Sequence, residues 1–125
     1  MNITAHFILY VTDQPSSTQF YENVLSMKPT LNVPGMTEFR LNSGAILGLM
    51  PVAGIRKLLG EKFPDPDKAG GIPCSEVYLL VDDPARYHKR AIECGAAELS
   101  ALSLRNWGHE AAYSLELDEH VLVSP

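Results

Sequence analysis

The chain has 125 residues, of which 46% are apolar and 20% charged, a composition that excludes a disordered or collagenous protein and admits one domain or two small packed modules. Its net charge of −5 argues against nucleic acid as a partner: the longest basic run, His88-Lys89-Arg90, is one turn of an expected helix and reads as a solvated face. No apolar run approaches the roughly 20 residues of a membrane span, the N-terminus lacks the marks of a signal peptide, and the two cysteines, Cys74 and Cys94, form no CxxC, so a reduced cytoplasmic setting is the expectation.

Ala5 to Val11 is a short run of strand formers. Asp13 or Gln14 can cap the helix that follows, with Pro15 in its first turn and Phe20, Tyr21, Val24 and Leu25 at helical spacing, so the pattern predicts a helix over 15–26. Pro29 stops it. A weakly marked strand falls near Lys28 to Val33, another at Thr37 to Leu41, a turn at Asn42-Ser43-Gly44, and an apolar strand at Ala45 to Met50. Residues 51–73 differ in character. They are rich in Pro and Gly and predict a linker with one or two helical turns at Ile55 to Leu59, the stretch Phe63 to Asp67 being mobile or extended. Glu76 to Val81 is again an apolar strand. Asp82-Asp83-Pro84 opens a second helix, Gly95 closes it, and three strands follow at 98–104, 111–117 and 121–124. Within 111–117, Tyr113, Leu115 and Leu117 alternate with Ala112, Ser114 and Glu116, the pattern of a half-buried strand.

The start of the chain recurs. His6 to Asp13 aligns with Glu76 to Asp83, 70 positions on, and each segment leads through Asp and Pro into a helix and then into strands. The order of elements predicts two βαβββ modules, 1–50 and 74–125, joined by the 51–73 linker.

These residues resemble the vicinal oxygen chelate superfamily, which includes glyoxalase I, bleomycin and fosfomycin resistance proteins and extradiol dioxygenases. The resemblance lies in His6 with Asp13, then Ser17, Phe20-Tyr21 and Val24-Leu25, with Ser26 where the family usually has Gly. In the second half it lies in Val81-Asp82-Asp83, Ala91 to Ala96, and Trp107-Gly108-His109. It implies an α+β fold of the glyoxalase/bleomycin resistance/dihydroxybiphenyl dioxygenase type, with curled mixed sheets enclosing a cavity, and a homodimer.

Metal-using relatives place ligands on the first and last strands of each module, commonly His, Glu, His and Glu. Carried over singly, those positions are His6, Gly48, Glu76 and Val123. Gly48 has no side chain and Val123 is apolar, while His120 alternates away from Val123. Two ligands hold a catalytic divalent ion poorly, so no metal is expected, a divalent ion remaining the less favoured alternative.

Strand alternation puts His6, Ile8 and Tyr10 on one face, and Glu76, Tyr78 and Leu80 on another. By the resemblance these faces line the cavity: an apolar pocket with an imidazole, two phenols and a carboxylate at its tips, the make-up of a small-molecule site. A buried Glu76 would be costly without a cation, and a His6–Glu76 couple would relieve that cost and serve as an acid–base pair. The plain alternative is that these groups bond one another and do nothing more. Trp107 is read as a wall or an aromatic lid, with Arg105 or His109 holding an anionic part of a planar ligand. The leading expectation is metal-free binding of a small, partly apolar organic molecule, bleomycin-resistance-like. The alternative is a glyoxalase-like lyase, isomerase or dioxygenase, acting with a metal or through His6 and Glu76.

Overall fold

Alternation along Ala5–Val11 separates Leu9 and Val11 from His6, Ile8 and Tyr10, and in the computed structural model, which describes residues 3–124, this segment is strand β1. Helix α1 (Gln14–Leu25) begins where the sequence places a cap: the Asp13 carboxylate accepts the Ser16 amide hydrogen, and Pro15 sits in the first turn, where its missing N–H costs nothing. It ends in a left-handed residue, Ser26, with φ of 54°. Strands β2 (Leu31–Val33), β3 (Met36–Asn42) and β4 (Ala45–Pro51) follow. The sheet order is β1-β4-β3-β2, with β1 parallel to β4 and the other pairs antiparallel. One side buries Leu9, Val11, Thr37, Phe39, Leu47 and Leu49. Helix α1 lies on that side, since Thr18 and Gln14 both hydrogen-bond to Thr37 Oγ1. His6, Ile8 and Tyr10 occupy the side opposite α1, and all three are exposed.

Residues 51–73 hold more structure than their composition predicts. Helix α2 (Val52–Leu59) starts three residues before Ile55, which it buries. The Phe63 to Asp67 stretch, expected to be mobile or extended, runs into a 3-10 turn at Pro66–Ala69. Asp65 anchors it by accepting the Asp67 amide hydrogen and pairing with Arg56, and the Phe63 ring meets Tyr10 edge-on at 5.6 Å.

The second half repeats the plan: β5 (Glu76–Tyr78), α3 (Pro84–Glu93), β6 (Ala97–Leu104), β7 (Glu110–Leu115) and β8 (Val121–Ser124), in the order β5-β8-β7-β6 with β5 parallel to β8. Asp83 caps α3 as Asp13 caps α1. The duplicated sheet order is the βαβββ repeat expressed in space: two four-stranded mixed sheets, neither closed into a barrel. Two compact units result, one holding the chain to Glu22 with Ser26–Lys68, the other Asn23–Leu25 with the chain from Ala69 onward.

Three local expectations change in this half. Strand β5 is shorter than predicted and stops at Tyr78, so Leu80 lies beyond it and is 71% exposed. Strand β7 ends at Leu115, short of the predicted 117, so buried Glu116 enters the β7–β8 turn, its carboxylate accepting the Asp118 and His120 amide hydrogens. His88 is not on a solvated face: it is 8% exposed and bonds through Nε2 to Glu98 at 2.9 Å. No helix among the described residues is long and apolar enough to cross a membrane.

Candidate functional site

The first unit's face opposite α1 is built across three strands. Residues Ile8, Gly48 and Glu38 are register partners in one row, and His6, Ile46 and Arg40 in the next. A glycine in the middle of the first row leaves a gap between its neighbours. A Cβ there would meet Ile8 Cγ1 at 3.1 Å and Met36 Sδ at 3.5 Å, so the row is tight around the missing side chain. Across this gap Glu38 Oε2 comes within 3.5 Å of His6 Nδ1, their side chains 22% and 45% exposed. That is electrostatic contact, slightly longer than a good hydrogen bond. Ile8 and Tyr10, 42% and 37% exposed, give the face its apolar body.

Glu38 is the residue sequence reasoning missed. Thr37 and Phe39 alternate with it as buried positions, which marks Glu38 as pointing the other way. A plain two-residue hairpin at Ser43-Gly44, however, would pair Gly48 with Phe39. The register shift between Arg40 and Asn42 moves the pairing by one residue and sets Glu38 beside Gly48. Nothing in the residues announces that bulge.

In the second unit, Tyr78, Val123 and Tyr113 are register partners across β5, β8 and β7. Tyr78 carries a polar cluster: Trp107 Nε1 donates to its hydroxyl oxygen at 3.0 Å, and His109 Nδ1 lies 2.6 Å from the same oxygen. Indole can only donate, so Tyr78 accepts from Trp107 and its own hydrogen is available to His109 Nδ1. With Nδ1 accepting, the neutral imidazole of His109 carries its one N–H on Nε2. Trp107 is itself 52% exposed. The structure thus brings Trp107, His109 and Tyr78 together, and sets Arg105 apart from them. The Arg105 guanidinium stacks on Tyr113 at 5.1 Å and donates to the Ala111 carbonyl, the Ala101 carbonyl and Ser100 Oγ. Glu76 is exposed, so the burial cost argued for it does not arise. Within its own unit the carboxylate that meets His6 is that of Glu38. Leu80 stands off the strand, outside the row in which the sequence placed it.

The ligand set of metal-using relatives does not fit these residues. Gly48's missing side chain is hemmed by Ile8, Val123 is an apolar, fully buried position, and His120 Nδ1 is engaged with Ser75 Oγ at 2.7 Å. Among the described residues no three of His, Cys, Asp and Glu gather closely enough to hold an ion.

This architecture recurs among solved proteins. A glyoxalase-related enzyme from Fulvimarina pelagi superposes with a TM-score of 0.80 at 19% identity, covering 98% of this chain and 86% of that one. A protein from Agrobacterium tumefaciens gives 0.71 at 25% identity, covering 98% and 95%. A glyoxalase/bleomycin resistance protein/dioxygenase family enzyme from Burkholderia phytofirmans gives 0.78 at 14% identity, covering 94% and 93%. No curated protein matches the sequence. The sequence profile of the Glyoxalase/Bleomycin resistance protein/Dioxygenase superfamily matches residues 3–113. With the repeated βαβββ plan and this match over most of its length, the chain belongs to the glyoxalase/bleomycin resistance protein/dioxygenase superfamily.

Proposed function

We propose that the protein binds a small, partly apolar organic molecule without a metal, in the manner of the bleomycin-resistance-type members of its superfamily. The observation that carries this reading is the character of two sheet faces, the one opposite α1 and the one that bears Tyr78. Each presents exposed aliphatic or aromatic side chains, Ile8 and Tyr10 in one unit and Tyr78 and Trp107 in the other, next to fixed polar tips at His6, Glu38, His109 and the Tyr78 hydroxyl. An apolar body with a few placed polar groups is what holds and orients a small ligand. The same reading takes the chain to work as a cytoplasmic homodimer, in keeping with two free cysteines.

A thermal-shift screen of planar aromatic and cationic compounds, bleomycin among them, tests it. Saturating binder raises the melting temperature by about 10 °C, through linkage of roughly 2–3 kcal/mol at a hundredfold excess over Kd. His6→Ala and Tyr78→Phe are expected to reduce that shift. Shifts that survive both changes, and Glu76→Ala as well, contradict the placement of the site.

The enzymatic alternative, a glyoxalase-like lyase, isomerase or dioxygenase, keeps one observation in its favour. The His6 imidazole faces a carboxylate, the arrangement of a general base and its orienting partner. Stoichiometric nickel, zinc, iron or manganese in protein purified without chelator would favour the metal-dependent form of that alternative over ours.

A further inference from the structure

We infer that His6 and Glu38 form a paired-acceptor site for an organic cation, an amine or amidine carried on an apolar body. The inference deepens the small-molecule reading above and rests on it.

Three observations converge. The first is register: the bulge between Arg40 and Asn42 puts Glu38 opposite Gly48, and the missing Gly48 side chain lets the carboxylate reach across β4 toward His6. The second is polarity. A carboxylate facing Nδ1 selects the imidazole tautomer with its proton on Nδ1, which turns the Nε2 lone pair outward. An ionised Glu accepts only. Among the described residues no donor meets His6 Nε2 or Glu38 Oε1, so the pair offers two acceptors and no unused donor. The third is surroundings. Ile8, Tyr10, Met36 and Met50 share the face and supply an apolar, polarisable bed. Arg40, next on the same side of β3, is exposed and, among the described residues, makes no ion pair, so Glu38 keeps a carboxylate oxygen for a ligand.

Two acceptors, one of them a carboxylate, match a group bearing two N–H donors and a positive charge. An amidinium or primary ammonium fits, whereas a carboxylate finds no donor on the pair. Docking such a group draws the carboxylate and imidazole inward, since hydrogen bonds that are long in an unliganded site tighten when it is filled.

The test is a titration of the isotope-labelled protein with benzamidine and, separately, with benzoate, followed by amide shifts and by the long-range imidazole ¹⁵N spectrum of His6. Benzamidine is expected to give saturable shifts at His6, Ile8 and Glu38, and benzoate none. Glu38→Gln is expected to weaken benzamidine by about tenfold or more, the size of a charge-assisted hydrogen bond. It is also expected to move the His6 proton from Nδ1 toward Nε2, a change that loss of packing alone does not cause. Equal binding of benzoate, or an unchanged benzamidine affinity and unchanged tautomer in Glu38→Gln, overturns the inference and leaves the small-molecule reading standing. No saturable shift with benzamidine also overturns the inference, while the broader reading falls only if the thermal-shift screen is silent as well.

Discussion

Glu38 stands opposite Gly48, and its carboxylate lies 3.5 Å from the imidazole of His6, two strands away. The pair exists because the residue between is a glycine. Gly48→Ala puts a Cβ at 3.1 Å from Ile8 Cγ1, and Ile8, being partly exposed, can turn away, so stability is expected to stay within about 1 kcal/mol of the parent. Gly48→Phe fills the gap outright and is expected to cost about 1–3 kcal/mol as an overpacked site. Urea unfolding of both variants checks this, and equal losses would show that the gap is not what the register implies.

Tyr78 holds Trp107, the only Trp in the chain. Tyr78→Phe removes the acceptor of the indole N–H and the partner of His109 Nδ1. Both groups are exposed and water replaces the bonds, so the stability cost is expected to be under about 1 kcal/mol. Trp107 itself is freed. Its fluorescence is expected to shift to the red and to become more quenchable by acrylamide. An unchanged emission maximum and quenching constant would mean the hydroxyl does not hold the ring.

Val123 is fully buried on the row between Tyr78 and Tyr113. In metal-using relatives the resemblance places a Glu there. Val123→Glu buries a carboxylate, and the Arg105 guanidinium, stacked on the neighbouring Tyr113, is already committed to backbone carbonyls and Ser100. A loss of about 3 kcal/mol or more is expected in chemical denaturation. A variant as stable as the parent would reveal room for a ligand that the packed valine hides.

The Asp65 carboxyl ties the Pro66–Ala69 turn to pH. The backbone N–H of Asp67 holds the Asp65 carboxyl below the ordinary value of 3.8, desolvation opposes this, and the Arg56 guanidinium adds to the lowering. A folded-state value below the unfolded one means the stabilisation is complete above 3.8 and is lost as pH falls through the folded value. Amide shifts of Asp67 and Lys68 are expected to titrate with a midpoint below 3.8, and Asp65→Asn to abolish that titration. A midpoint at or above 3.8 would contradict the anchoring of the Pro66–Ala69 turn.

Much of the fold was legible in the residues because its signals are local. Asp13 and Asp83 before proline mark both helix starts, strand formers mark β1 and β4, and the 70-residue recurrence gives the doubled plan. The linker misled because Pro and Gly content says little about tertiary anchors: Ile55 is buried and Asp65 is tied to Arg56, neither of which composition reveals. His88 misled for a related reason. Its basic neighbours suggested a solvated turn, yet the next strand supplies Glu98 as a partner. The site divides in the same way. The shared face of His6, Ile8 and Tyr10 follows from alternation alone. The Glu38 partner depends on a bulge, and the Tyr78–Trp107–His109 cluster depends on how the loop between β6 and β7 folds, and both are decided by three-dimensional packing.

A crystal structure of the protein with any compound that raises its melting temperature tests the central claim most directly. Density for the compound is expected on one of the two sheet faces, against Ile8 and Tyr10 beside His6 and Glu38, or against Tyr78 and Trp107 beside His109. Density on the side of either sheet that α1 or α3 covers, or away from both faces, would contradict it.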